Sequence, residues 1–250
     1  MITLTEEQIY KNYKNKIFAE KSIKYLKNNQ LLPLSASSNL SSIVGHLMGD
    51  GNLSKDVFVG DFRFYGTKEK LINIEKKVFE VFKIRPKILY ERKGGFVLKY
   101  NNALISRILN IIGVPRGNKV LISYKIPNWI VSDNKNIKKS FLTAIFDDEL
   151  SSPKFDKKGY FQPLRLKFNK TESHLPSAIN FLETIRSLLQ EFNIKSNEIK
   201  INNFKYLNKF GMINRSLYFN ISSTKDNLII FRKLISNSAE KSKWGMLDIL

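Results

Sequence analysis

Apolar residues recur along this chain in two rhythms, one helical and one alternating. Residues 5–28 carry Ile9, Tyr13, Ile17, Ile23 and Leu26 among lysines, and Thr5-Glu6-Glu7-Gln8 fits a capping box, so the segment predicts a helix. Asn28-Asn29-Gln30, Pro33 and the serines of 35–38 read as a linker. From 40 to 49, Leu40, Ile43, Val44, Leu47 and Met48 form one apolar stripe. Ser41, Gly45 and Gly49 form a second, small-residue stripe, which suits close packing on another side. Residues 57–64 read as a strand, with Phe58, Phe62 and Phe64 on one face and Asp61, Arg63 and Tyr65 on the other. A helix is predicted over 67–82, with Leu71, Ile74, Val78 and Val81 inward. A hairpin over 87–92 and 96–100 turns at Gly94-Gly95. Asn101 or Asn102 caps a helix over 103–112, stopped by Gly113 and Pro115.

The same order then recurs. Residues 141–149 are helical, and Ser140, Ala144 and Asp148 repeat Ser41, Gly45 and Gly49 at a constant offset. Residues 163–168 alternate, with Leu164, Leu166 and Phe168 on one face and Arg165 and Lys167 on the other. A long helix lies within 171–192. It ends Phe192-Asn193-Ile194, as the earlier one ended Phe82-Lys83-Ile84. Residues 199–206 and 216–221 make a second hairpin, and Thr224 caps a helix over 226–235.

The fold expected is therefore α+β: two pseudo-symmetric αββαββα repeats, each with an antiparallel sheet that is apolar on one face and polar on the other. The boundaries read as an N-terminal helical extension and linker over 1–38, a first half over 39–125, a linker over 126–137 and a second half over 138–250. The extension reads as a docking helix or as an extra DNA-contacting arm. Two such sheets side by side would make a long polar concave surface. Its outward residues are Arg63, Tyr65, Arg92, Lys99, Arg165, Lys167, Lys205, Asn214 and Asn220.

Charge gives that surface a partner. The 250 residues contain 42 Lys plus Arg against 22 Asp plus Glu, a formal charge of +20. Nucleic acid is the commonest partner of such a chain, through phosphate contacts and counterion release. The basic residues are spread along the sequence, which argues against a membrane-surface segment. There are no cysteines and two histidines, which excludes disulfides and thiolate metal sites and disfavours a histidine-rich zinc nuclease. No run is long enough to span a bilayer, and the first residues lack the pattern of a signal peptide. A cytoplasmic protein is expected, with an organelle as the other possibility.

Each repeat opens with an apolar helix that ends in an acid: Asp50 in the first, Glu149 in the second. A carboxylate at the negative end of a helix dipole is electrostatically misplaced. Two at matching places suggest a shared cation, and carboxylate oxygens suit Mg²⁺. If the helices pair along their small stripes, the acids meet at the pseudo-dyad.

Ile43-Val44-Gly45-His46-Leu47-Met48-Gly49-Asp50-Gly51 resembles the LAGLIDADG motif, and Leu142-Thr143-Ala144-Ile145-Phe146-Asp147-Asp148-Glu149-Leu150 resembles a second copy. Over about 39–250 the chain is similar to the single-chain, two-motif LAGLIDADG homing endonucleases. Gly113-Val114-Pro115-Arg116-Gly117 and Tyr124-Lys125-Ile126-Pro127 also look like that family. The resemblance implies a monomeric, site-specific double-strand DNA endonuclease that recognises a long duplex site and leaves 3′ overhangs. It implies Mg²⁺ held by Asp50 and Glu149, with Mn²⁺ or Ca²⁺ as substitutes for binding, and Gly49 and Asp148 adjoining the metal. Lys99 is the basic residue assigned to the first half. The sequence departs from the pattern at Met48, at Glu149 in place of Asp, and at Leu150 in place of glycine. If that last position needs a positive φ, leucine is strained there. The alternative implied by these departures is a weakened DNA- or RNA-binding relative, such as an intron maturase or a regulator.

Overall fold

A computed structural model describes residues 2–92, 94–208 and 210–249. The chain divides into two compact units, Met1–Gly117 with Pro127–Phe141, and Asn118–Ile126 with Leu142–Leu250. Among the described residues, no helix is long and apolar enough to cross a membrane.

The first unit opens with a small antiparallel ribbon, β1 (Ile2–Leu4) against β2 (Leu34–Ser35). Between them lie two helices, α1 (Glu6–Asn12) and α2 (Lys16–Asn28), where the sequence predicts one. The capping box forms at Thr5 as expected. The break comes from Asn15, whose side chain accepts from the amides of Ile17 and Phe18 and so starts a new helix. Tyr13, extended at the break, is buried beneath the Arg107 guanidinium. The serine stretch is not a plain linker: Ser35 lies in β2, and Ser37 caps α3 (Ser38–Met48).

After α3 come β3 (Asn52–Leu53), β4 (Asp61–Gly66), α4 (Lys68–Phe82), β5 (Ile88–Arg92), β6 (Gly95–Asn101) and α5 (Ala103–Ile111). The strands form one antiparallel sheet in the order β3-β4-β6-β5. The strand expected over 57–64 starts only at Asp61. Residues 57–59 form a turn, Gly60 has φ +62°, and Phe58 is 85% exposed. Phe62 and Phe64 point inward as predicted; Phe62 stacks on Tyr100 at 4.8 Å. Leu40, Ile43, Val44 and Leu47 of α3 and Leu71, Ile74 and Val78 of α4 fill the same core.

A short helix, α6 (Asn128–Val131), precedes α7 (Lys135–Glu149), which begins before the expected 141. Asn134 explains the early start, because its side chain accepts from the amides of Asn136 and Ile137. Ser41, first of the small stripe, donates to the Ile137 carbonyl at 2.8 Å and ties α3 to the opening turn of α7 within the first unit.

The second unit holds β7 (Leu164–Thr171), α8 (Leu175–Glu191), β8 (Lys200–Leu207), β9 (Ile213–Ile221), α9 (Lys225–Leu234) and α10 (Lys241–Trp244). Its antiparallel sheet runs β7-β9-β8. The strand that would match β3 is reduced to one bridge, Leu150 opposite Leu166. Thr224 sits at the N-cap of α9 but makes no side-chain capping bond. The internal repeat is visible in the backbone: Lys83 after α4 and Asn193 after α8 are both left-handed, at φ +57° and +59°.

Candidate nucleic-acid interface and acidic helix ends

The first acidic helix end is a tight turn. α3 stops at Met48; the Gly49 amide donates to Gly45 and the Gly51 amide to His46, both at 2.8 Å. Asp50 stands exposed between them. Gly51 is required by crowding rather than by its φ. A Cβ there would lie 2.6 Å from the His46 carbonyl oxygen and 3.0 Å from that of Arg63. His46 itself is buried in α3.

The second end is built differently. α7 continues through Glu149, which is half-buried, and the Leu150 amide still reaches the Phe146 carbonyl at 3.3 Å. Leu150 is not left-handed, since the positive-φ residues other than glycine are Gln30, Lys83 and Asn193 among the described residues. The strain considered for leucine therefore does not arise, and Leu150 is a buried core residue. Asp148 is half-buried beside it. Asp147 is structural: buried, it accepts from Ser238 Oγ, the Ala239 amide and Trp244 Nε1. Lys243 of α10 donates to the carbonyls of Phe146 and Asp147, both at 2.8 Å. It brings positive charge to the helix end that carries Glu149. The sequence reading missed Lys243, whose partners lie nearly a hundred residues away. Burial, and then the Glu149 carboxylate, push the Tyr124 hydroxyl well above its usual range.

The polar face of the first sheet carries a row across its strands, Asn52–Arg63–Lys99–Ile88, beginning two residues after Asp50. Tyr65 lies on the same face, half-buried. Arg63 and Lys99 both pair with the buried Asp61. Arg63 donates from Nε at 3.0 Å and from Nη2, and Lys99 Nζ lies at 3.4 Å. Asp61, on this side hydrogen bond above all, holds the Arg63 pKa above its ordinary value. Arg92 closes β5 opposite Gly95; its side chain lies outside the described residues.

On the second sheet, Arg165 and Lys167 share the polar face with their partners Asn220 and Tyr218. Arg165 donates to Asn220 Oδ1 at 3.1 Å and lies over the Tyr218 ring at 4.3 Å. Asn214 lies on this face but is buried, accepting from Asn208. Lys205 does not join them. It is registered opposite Arg215, itself opposite Lys170, on the face that α8 covers, and it pairs with Glu172 at 2.7 Å.

Among the described residues, no group of three or more His, Asp or Glu side chains gathers to hold a metal ion. The carboxylate at each helix end is an oxygen donor of the kind a hard divalent cation takes.

The homing endonuclease I-DmoI, crystallised with DNA and Mn, superposes with a TM-score of 0.50 over 81% of this chain and 98% of that one, at 16% identity. The chain has the LAGLIDADG fold. No family model matches the sequence. Three differently named archaeal proteins of Methanocaldococcus jannaschii each contain a stretch similar to it. They are the DNA-directed RNA polymerase subunit Rpo1N (33% identity over 78% of this chain), the tRNA-splicing ligase RtcB (29% over 70%) and the replication factor C small subunit (27% over 82%). The LAGLIDADG-fold chain spans only 16%, 20% and 11% of their respective lengths.

Proposed function

We propose that the protein is a site-specific, divalent-metal-dependent double-strand DNA endonuclease acting as a monomer. The observation that carries this reading is an acid at the end of each motif helix of a LAGLIDADG fold, Asp50 in one unit and Glu149 in the other. The matches to three proteins with unrelated names support it further. What they share with this chain is a short part of three differently named proteins, which fits a self-contained module better than the activity of any one of them.

In this reading Arg63, Lys99, Arg165 and Lys167 meet the phosphates and base edges of a duplex, and Tyr65 and Asn220 add contacts to base edges. Asp50 and Glu149 would each supply a carboxylate oxygen to Mg²⁺, with Gly49 adjoining the first and Asp148 the second. When bound, the metal supplies charge neutralisation at the scissile phosphate and a lower pKa for water. Lys243 keeps the end of α7, and so Glu149, in place. Lys99 lies one strand beyond Arg63 in the row that starts beside Asp50, and serves as the nearby cation of the first half.

The test separates binding from cutting. Asp50→Asn and Glu149→Gln are expected to abolish Mg²⁺-dependent cleavage while duplex binding persists. Undiminished cleavage by both variants would remove these acids from the reaction. Preference for RNA over duplex DNA would favour a maturase-like binding protein.

A further inference from the structure

Asp61 occupies an unusual position for an acid on a face expected to meet DNA. Its side chain is 6% exposed, against 33% for Arg63 and 28% for Lys99, so the carboxylate lies beneath the two cations. Its backbone is pinned: the Ser54 amide donates to its carbonyl, and Gly60 before it is left-handed and accepts from the Asn102 amide. All of its pairing passes through one oxygen. Oδ2 takes Arg63 Nε and Nη2 and faces Lys99, whereas Oδ1 is buried with no hydrogen-bond partner. A buried acceptor left unpaired is destabilising, so stability alone is a poor reason to keep an acid here.

The geometry of the guanidinium gives a better reason. Asp61 occupies the side edge of Arg63, formed by Nε and Nη2. The end edge, Nη1 with the second N–H of Nη2, is not taken by Asp61; the neighbour on this face is Tyr65, whose hydroxyl also interacts with the guanidinium. A guanidinium fixed along its side edge can present that end edge to the O6 and N7 atoms of guanine in the major groove, with Tyr65 giving way. Lys99, registered directly opposite Arg63, adds a second cation to the same carboxylate and leaves the cluster with net positive charge.

We propose that Asp61 is a specificity-determining positioning residue, holding Arg63 so that its end edge reads one guanine of the target. This rests on the DNA-binding reading above and adds a named base contact and the residue that aims it.

The test is competition binding by the full chain, with Ca²⁺ in place of Mg²⁺. The probes are a duplex site selected from a randomised library, that site substituted at each position, and random-sequence duplex. Asp61→Asn and Arg63→Lys are each expected to lose about fivefold to 150-fold of the preference for one G·C pair, the usual worth of a bidentate contact. The pair is the same for both variants, and the double variant loses no more than the larger single loss. For Asp61→Asn, affinity for random duplex does not fall, because a negative charge has been removed. Losses at different pairs, additive losses, or an unchanged profile with Arg63→Lys would overturn the inference while leaving the DNA-binding reading intact. A protein with no sequence preference before substitution would overturn that reading and the inference with it.

Discussion

The Nζ of Lys243 lies 2.8 Å from the carbonyl oxygen of Phe146, and a second bond of equal length reaches Asp147. A lysine at this end gives the Asp147 carbonyl a donor, adds a shorter bond to the Phe146 carbonyl that the Leu150 amide reaches at 3.3 Å, and offsets the negative dipole end that Glu149 would otherwise worsen. Lys243→Met should therefore destabilise the protein by about 1–3 kcal/mol, as charged hydrogen bonds usually do. The measurement is urea unfolding, read as a fall in midpoint without a change in slope. An unchanged midpoint would mean that the carbonyls find water equally well.

The two motif ends make opposite demands at their matching positions. Gly51→Ala places a Cβ against backbone at 2.6 Å and should be severely destabilising, because backbone cannot swing away. Leu150→Gly, which makes the second motif look more like the first, should also destabilise. It empties a buried site at a cost of about 2–5 kcal/mol, the range for deleting a buried leucine side chain. Thermal unfolding of both variants checks this. Stabilisation by Leu150→Gly would mean that leucine is strained after all.

Lys170 titrates in the folded protein at about 8, lowered first by burial and then by Lys119. Its ammonium donates to the carbonyls of Lys119 and Ile122 and sits over the Tyr124 ring. In the unfolded chain its pKa returns to the ordinary lysine value near 10.4. Between these values the unfolded state binds more protons, so stability from this group rises with pH. The protein should gain stability relative to Lys170→Met as pH is raised from about 8 towards 10, measured as the difference in Tm between the two at each pH. A difference that is flat or falls over that range would refute the lowered value.

Much of the fold was legible because the signals were local. The helix over 68–82 announced itself by Thr67 as cap and Leu71, Ile74 and Val78 as stripe, and the hairpin by Gly94-Gly95. The errors have physical causes. Val57-Phe58-Val59 has strand composition, but Gly60 turns the chain just after it and leaves Phe58 in water. Ile17 continued an apolar rhythm across 5–28, yet it is 63% exposed, and the capping side chain of Asn15 breaks the helix. Lys205 was placed on the wrong face because β8 is exposed along nearly its whole length, so no alternation marks its inner side. The position of an acid at the end of α3 and of α7 follows from the repeat in the sequence. The Lys243 and Asp61 contacts do not, since Lys243 depends on tertiary packing and Asp61 on the cross-strand register with Lys99.

An enzyme that cuts duplex DNA at a defined sequence, the function proposed for this chain, leaves its signature in the cut ends. The most direct measurement is incubation of the full chain with a randomised duplex library and Mg²⁺, followed by sequencing of the cut ends. Discrete ends sharing one sequence and a fixed 3′ stagger are expected. Intact DNA together with tight, salt-sensitive binding would contradict the proposed function and leave a DNA-binding protein that does not cut.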